Sequence, residues 1–318
     1  MPDKARLALA VTRPDFLLLC SHYYPMKSSL MENMSERPFA YSDIFRHPPM
    51  SGANIPPELA AIRKNESSCA VILPDGTWLV TWSQGSSENA PDEQVVMAKS
   101  QDCGLTWSEP QRLMTSTKKY RRSYGAPFVA PESGRLFFFI HEGVHAGDGI
   151  AYNSPEVDVG KLAFIYSDDD GDTWSDFRSI DLPDRDISMF PDRIHGHINH
   201  PPQIMPHGQV LLPFSQYARP GSMRRDWQLV AGETVFLHCE NLLTESDPDK
   251  FQFSLLPPGP RGIRADIVKH IDNPAVKQLA KFFKGYPDGL AFNSQEPTIV
   301  PLSDGRWVQA CRTYLGSP

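Results

Sequence analysis

The 318-residue chain has no long apolar run; its longest are a handful of residues, too short for a transmembrane helix. It has no C-x-x-C pair. Its cysteines, Cys20, Cys69, Cys103, Cys239 and Cys311, are odd in number and widely spaced, which argues against a disulfide framework and a cysteine zinc site. It also lacks a basic excess: 31 Lys and Arg stand against 38 Asp and Glu, a net charge of -7. A general nucleic-acid binder shows the opposite balance, so attraction for an anion must come from a local patch. A simple secretion signal is not expected, because Arg13-Pro14-Asp15 divides Leu7–Val11 from Phe16–Cys20. Secreted and cytoplasmic locations both stay open. With 40% hydrophobic and 22% charged residues, the chain is a globular one able to bury a core.

What it has in abundance is turn chemistry: 30 prolines and 21 glycines in short scattered clusters. That density suits an all-β protein. One hairpin pattern recurs, an apolar strand, a tight turn ending in Gly, and a second apolar strand. The copies are Cys69–Pro74 with Thr77–Ser83, Pro127–Pro131 with Leu136–Ile140, Pro202–Pro206 with Val210–Ser215, and Pro297–Leu302 with Trp307–Arg312. The turn glycines are Gly76, Gly134, Gly208 and Gly305, and they tolerate positive φ. The strands are apolar rather than alternating, as expected where both faces are covered. A second pattern, Ser-x-Asp-x-Gly-x-Thr-Trp, occurs at Ser100–Trp107 and again at Ser167–Trp174. Asp accepts hydrogen bonds from the turn backbone, Gly supplies a left-handed residue, and Trp packs under the turn. A structural role is therefore expected for Asp102 and Asp169.

The turn glycines lie 58, 74 and 97 residues apart, so each unit holds about four antiparallel strands, the size of a propeller blade. About four blades are visible. The expected domains are an N-terminal segment, 1–43, acting as a tail or ring-closing strand, and a β-propeller, 44–318, read as C-terminally incomplete. A helix is expected near 273–284, with Val276, Leu279, Ala280 and Phe283 on one face and Gly285 ending it.

Following strand direction puts the glycine turns and the Ser-x-Asp turns at one end of each blade. The opposite end collects Lys118, Lys119, Arg121, Arg122, Arg219, Arg224 and Arg225, a basic cluster able to draw in an anion. It also collects His141, His145, His195, His197 and His200, beside Tyr124, Tyr217 and Arg312. Histidine titrates near neutrality and serves as acid or base. His195, His197 and His200 also have a spacing that suits zinc, but no metal or other cofactor is assigned.

Both Ser-x-Asp turns and the blade repeat resemble the sialidase superfamily, the Asp-box or bacterial-neuraminidase-repeat propellers, over roughly residues 44–318. The resemblance implies a six- or seven-bladed ring in full form. Phe45-Arg46-His47-Pro48 looks like that family's Phe/Tyr-Arg-Ile-Pro stretch, with His in place of Ile. Glu296 opening a blade and Arg312 sixteen residues later look like its Glu and Arg pair. It implies that the arginines grip a substrate carboxylate and that the Glu is base toward a tyrosine nucleophile. That tyrosine and a third arginine belong to later blades. The expected partner is an acidic glycan, with neither nucleic acid nor membrane, and the oligomeric state is left open.

The expected function is action on a terminal acidic sugar, of exo-glycosidase type. Candidate catalytic residues are Arg46, Glu296, Arg312, His200, His141 and Tyr217. Candidate substrate-binding residues are His197, Asn199, His145, Arg122 and Tyr124. One alternative is a polysaccharide lyase cleaving next to a uronic acid, with His200 or His141 as base, Tyr217 or another His as acid, and Arg312 neutralising the carboxylate. Another is a propeller that binds a glycan or a protein without turnover.

Overall fold

The computed structural model describes residues 64–86, 90–144, 159–182, 194–217, 232–259, 262–263, 294–302, 304 and 306–312. The expected N-terminal segment and the 273–284 helix lie outside the described residues, as do Arg46, His145, Arg219, Arg224 and Arg225. Among the described residues the regular structure is antiparallel sheet apart from one short 3-10 turn, Pro248–Lys250.

The first blade is a four-stranded sheet in chain order: β1 (Lys64–Ile72), β2 (Trp78–Gly85), β3 (Gln94–Ser100) and β4 (Gln111–Thr115). Its first turn closes as the Asp-Gly pair requires. Gly76 sits at φ 90° and donates to the Leu73 carbonyl at 2.9 Å, while Asp75 accepts from the Thr77 amide at 2.8 Å. The second blade comprises β5 (Tyr120–Val129), β6 (Leu136–Val144), β7 (Val159–Ser167) and the short β8 (Arg178–Ser179). β6 is buried along almost its whole length, which explains why its sequence is apolar without alternation.

The third blade departs from the sequence reading. Its expected first strand over 202–206 shrinks to the two-residue β10 (Gln203–Ile204), because Pro201, Pro202 and Pro206 have no amide to donate. A new strand, β9 (Ile194–His197), bridges the blades instead. Ile194 and His195 pair with β7, and Gly196 and His197 pair with β11 (Val210–Tyr217). β12 (Gly232–Cys239) and β13 (Phe253–Leu256) complete a continuous nine-stranded sheet. The fourth hairpin is β14 (Gln295–Pro301) with β15 (Trp307–Arg312).

The two Ser-x-Asp turns are near copies. Asp102 accepts from the Thr106 amide at 2.8 Å and the Thr106 hydroxyl at 2.6 Å, and Asp169 treats Thr173 in the same way at the same distances. Ser100 and Ser167 each accept from the glycine amide at 2.8 Å. Gly104 and Gly171 hold φ near 85° with a tryptophan carbon 3.4 Å from where a Cβ would stand, so no other residue fits without strain. These bonds favour the ionised carboxylate and hold Asp169 down at about 2.

The main core lies where the second and third blades meet. Phe137 packs at 5.9–6.3 Å between ring centres against Phe139, Phe164, Tyr166 and Phe251. Phe164 in turn meets Phe251 and Phe253 of the third blade, which are contributed by the segment leading into β13 and by its first residue. The rings thus join strands more than 80 residues apart in the chain. Phe137→Ala should cost about 3–5 kcal/mol in chemical denaturation, and a loss below about 1 kcal/mol would mean these rings do not hold the blades together.

Candidate active site

Register fixes which end of each blade is which. Trp78 pairs with Ser100 and Leu136 pairs with Ser167, so the Ser-x-Asp turns share an end with the glycine turns. At the other end Glu66 pairs with Ser83, Ser123 with His141, and Gln295 with Arg312. Trp174 packs into a cluster with Leu73, Leu79 and Leu136, at the turn end.

At the opposite end the inner strands are tied to one another. The Cys69 thiol in blade one donates to the Asn199 carbonyl, 130 residues away, at 3.7 Å. His200 Nδ1 lies 3.1 Å from the Thr298 hydroxyl of β14. The Tyr124 amide donates to Ser83 Oγ at 3.1 Å, and the Glu296 amide donates to Ser215 Oγ at 2.7 Å.

The last two bonds are one device used twice. β1, β5 and β14 each carry a register shift at this end. Within each shift sits one non-glycine residue with positive φ: Ser67 at 53°, Tyr124 at 54° and Glu296 at 49°. Such a conformation costs on the order of 1 kcal/mol or more and persists where surroundings impose it. The serine that receives the bulge amide is fully or almost fully buried and stands seven residues after the turn glycine of the preceding blade. In blades two and four the same place is held by His141 and Arg312. Asn199 stands nine residues before Gly208, as Ser67 does before Gly76 and Glu296 before Gly305.

A charged cluster fills the crevice between blades one and two. Arg121 and Glu93 are both buried, with Arg121 Nε 3.5 Å from Glu93 Oε2. Glu93 is also hydrogen-bonded to the Glu66 carboxyl, and Glu66 is ion-paired with Lys64. The Arg121 guanidinium lies 4.6 Å from the centre of the Tyr124 ring and Lys64 Nζ 5.9 Å from it. Gly85 makes room: a Cβ there would stand 2.9 Å from Glu93 Cγ. Burial pushes the Glu93 carboxyl up to about 8, against the pull of Arg121 and with the help of Glu66. Strand direction puts Glu66 and Glu93 at the same end of the first blade, but they lie 27 residues apart and the sequence carried no signal for their contact.

Of the four described residues of the basic cluster expected at this end, Lys118 and Lys119 are exposed and Arg121 and Arg122 are not. Arg121 is fully buried, and Arg122 is paired with Glu142 at 2.7 Å and stacked on Phe177 at 4.3 Å. Residues 120–124 and 141–144 are strand, the ends of β5 and β6 prolonged past the bulge. His141 is wholly buried and Tyr124 nearly so. His200 and Asn199 are half-buried, and burial lowers the His200 pKa, favouring a neutral imidazole. Arg312, Tyr217 and His197 are placed by their backbones at strand ends, paired with Gln295, Gly232 and Ser215. Among the described residues, Cys69, Cys239 and Cys311 are free thiols.

Glu296, with its positive φ, opens β14, Arg312 closes its partner β15, and the half-buried His200 stands beside β14. The BNR repeat-like domain model matches residues 76–235, half of the chain, and the chain belongs to that family. No curated protein matches it significantly. Among solved structures, a protein of unknown function from Dyadobacter fermentans is 12% identical with a TM-score of 0.50, covering 78% of this chain and 62% of that one. The Hadza microbial sialidase is 15% identical with a TM-score of 0.45, covering 62% of this chain and 37% of its own. The leech intramolecular trans-sialidase, solved with 2,7-anhydro-Neu5Ac, is 12% identical with a TM-score of 0.48, covering 91% and 52%. The chain thus spans between about a third and two thirds of the length of these structures.

The raised Glu93 pKa sets a direction for stability. The folded state holds that proton more tightly than the unfolded chain, so the contribution is complete below about pH 4.5 and is lost as pH rises through about 8. Thermal melts should show Tm falling between pH 5 and 9, and Glu93→Gln should flatten that slope. An unchanged slope would mean Glu93 is ionised throughout.

Proposed function

We propose that this protein is a sialidase-like carbohydrate-active enzyme that acts on a terminal acidic sugar of a glycan, in the exo-glycosidase manner. The observation that carries the reading is the Glu296 and Arg312 hairpin end. Glu296 is held in a left-handed conformation by Ser215, and its neighbour Gln295 pairs with Arg312. Arg312 occupies the place where Ser83 and Ser215 accept a bulge amide. A guanidinium has no acceptor, so it cannot do that structural task. Its five donors instead suit a planar carboxylate, the group that marks an acidic sugar.

In this reading Arg312 binds the sugar carboxylate and sets the ring in place. Glu296, positioned by its bulge, takes the proton of a tyrosine hydroxyl nucleophile, as the family resemblance implies. Arg46 is assigned as a second carboxylate ligand, and His197, Asn199, His145, Arg122 and Tyr124 as substrate-binding residues. Tyr217 stands at the end of β11, three residues after the Phe214 whose ring is fully buried. His141, buried at the position equivalent to Ser83 and Ser215, is better suited to holding the next blade than to abstracting a proton.

A second reading is supported by His200. A neutral, half-buried imidazole beside β14 is suited to remove the C5 proton of a uronic acid, while Arg312 neutralises the carboxylate and the glycosidic oxygen leaves. The products separate the two readings, because elimination leaves an unsaturated uronate that absorbs in the ultraviolet and hydrolysis does not.

The test is turnover of aryl α-sialosides and aryl uronides. Arg312→Ala should lower kcat/KM roughly 10- to 150-fold on acidic glycosides, the worth of a charge-assisted hydrogen-bond pair. On a neutral glycoside the variant should show no such loss. Glu296→Gln should lower kcat by about 10²–10⁴. Wild-type inactivity on both acidic classes would leave glycan binding without turnover as the function.

A further inference from the structure

The crevice between the first two blades is a second acid centre. β1 brings Lys64 and Glu66, the turn before β3 brings Glu93, and β5 brings Arg121, Ser123 and Tyr124. Two carboxyls within hydrogen-bond reach do not both ionise; they share a proton and carry one negative charge between them. Here that charge is met by Lys64 from β1 and Arg121 from β5, and Tyr124 covers both cations. Burial favours keeping the proton near neutrality.

Two further observations turn this cluster from a structural ion group into a site. Ser123 is fully buried and its hydroxyl has no hydrogen-bond partner. It lies two residues from Arg121 on a regular stretch of β5, so it shares the face that Arg121 turns toward Glu93. An orphan hydroxyl there costs about 1–3 kcal/mol unless an entering group meets it. Glu66 differs from Glu93 in exposure: about 21% of its side chain reaches solvent against 1% for Glu93.

We propose that Glu66 is the general acid that protonates the glycosidic oxygen, that Glu93 is the positioning residue that holds its proton, and that Ser123 hydrogen-bonds a hydroxyl of the bound sugar. This rests on the glycosidase reading above. In the step, the O–H bond of Glu66 breaks and the proton passes to the glycosidic oxygen. The bond from that oxygen to the anomeric carbon breaks, and its electron pair leaves with the departing alcohol. The tyrosine oxygen bonds the anomeric carbon and gives its proton to Glu296; a water then supplies hydroxyl to that carbon and its other proton to Glu66, while the freed tyrosine oxygen takes its proton back from Glu296.

The experiment compares Glu66→Gln with the wild type on two substrates, sialyllactose and a nitrophenyl α-sialoside. A nitrophenolate leaves without protonation. The variant should therefore lose at least about 100-fold in kcat/KM on sialyllactose and less than about 10-fold on the nitrophenyl substrate. Glu93→Gln removes the buried carboxyl that holds the shared proton, so the alkaline limb of kcat/KM should move to lower pH; a merely structural role would scale the profile without moving it. Infrared spectra of the wild type at pH 7 should show a protonated carboxyl band that Glu93→Gln abolishes, a readout that needs no turnover. Equal losses on the two substrates, an unmoved limb, or no such band would overturn the proposal. If the wild type cleaves both substrates and Glu66→Gln matches it, this proposal alone falls. If the wild type cleaves neither, the glycosidase reading falls and the acid role with it.

Discussion

The polar end of this structure depends on one hydrogen bond, made from the first strand of a blade to the second strand of the blade before it. Ser83 receives the Tyr124 amide and Ser215 receives the Glu296 amide. The donor in each case is a residue with positive φ inside a bulge, a backbone group that the local ladder leaves unpaired. A buried amide without a partner costs on the order of 1–3 kcal/mol, so the serine hydroxyl both satisfies it and fixes where the next strand begins. The consequence is functional. The strand-opening residue, Tyr124 or Glu296, is locked into one orientation at the mouth without needing a tight loop to hold it.

The device also explains the unlike residues at the equivalent places. Serine is small and accepts one amide. His141, fully buried, keeps an acceptor nitrogen at that place when its ring is neutral. Arg312 breaks the series, since it can only donate. The same backbone position thus carries an amide acceptor in the first and third blades and a residue that can only donate in the fourth.

The repeats were legible because turn chemistry is local. Asp75-Gly76 and the two Ser-x-Asp turns each close through contacts spanning four residues or fewer, and the structure reproduces them. The outer strands β4, β8 and β13 were not legible, because their pairing is set by neighbours rather than by their own short sequences. β9 escaped for the same reason: its His-Gly-His segment looks like a ligand loop until β7 and β11 are seen to flank it. Glu296 and Arg312 could be picked out through the family resemblance, which their spacing of sixteen residues supports. The contact among Glu66, Glu93 and Arg121 could not, because three separate elements bring them together, although strand direction puts all three at one end of the blades.

The two ends of the blades use acidic residues in opposite ways. At the turn end, Asp102 and Asp169 are nearly exposed, and hydroxyl and amide donors within the same turn favour the ionised form. Such a group needs no distant partner, and each turn is stable by itself. At the mouth, Glu93 is buried and its surroundings favour the neutral form, which Arg121 offsets only in part. Keeping a carboxyl there against its desolvation cost is hard to explain as stabilisation, because a buried ion pair is often matched or bettered by apolar packing of the same volume. The second and third blades show that this chain builds such packing readily, with Phe137, Phe139 and Phe164 filling an equivalent interior. Retaining Lys64, Glu66, Glu93 and Arg121 at the first blade junction therefore argues for a task that apolar side chains cannot perform, and proton transfer at the mouth is the one their arrangement suits.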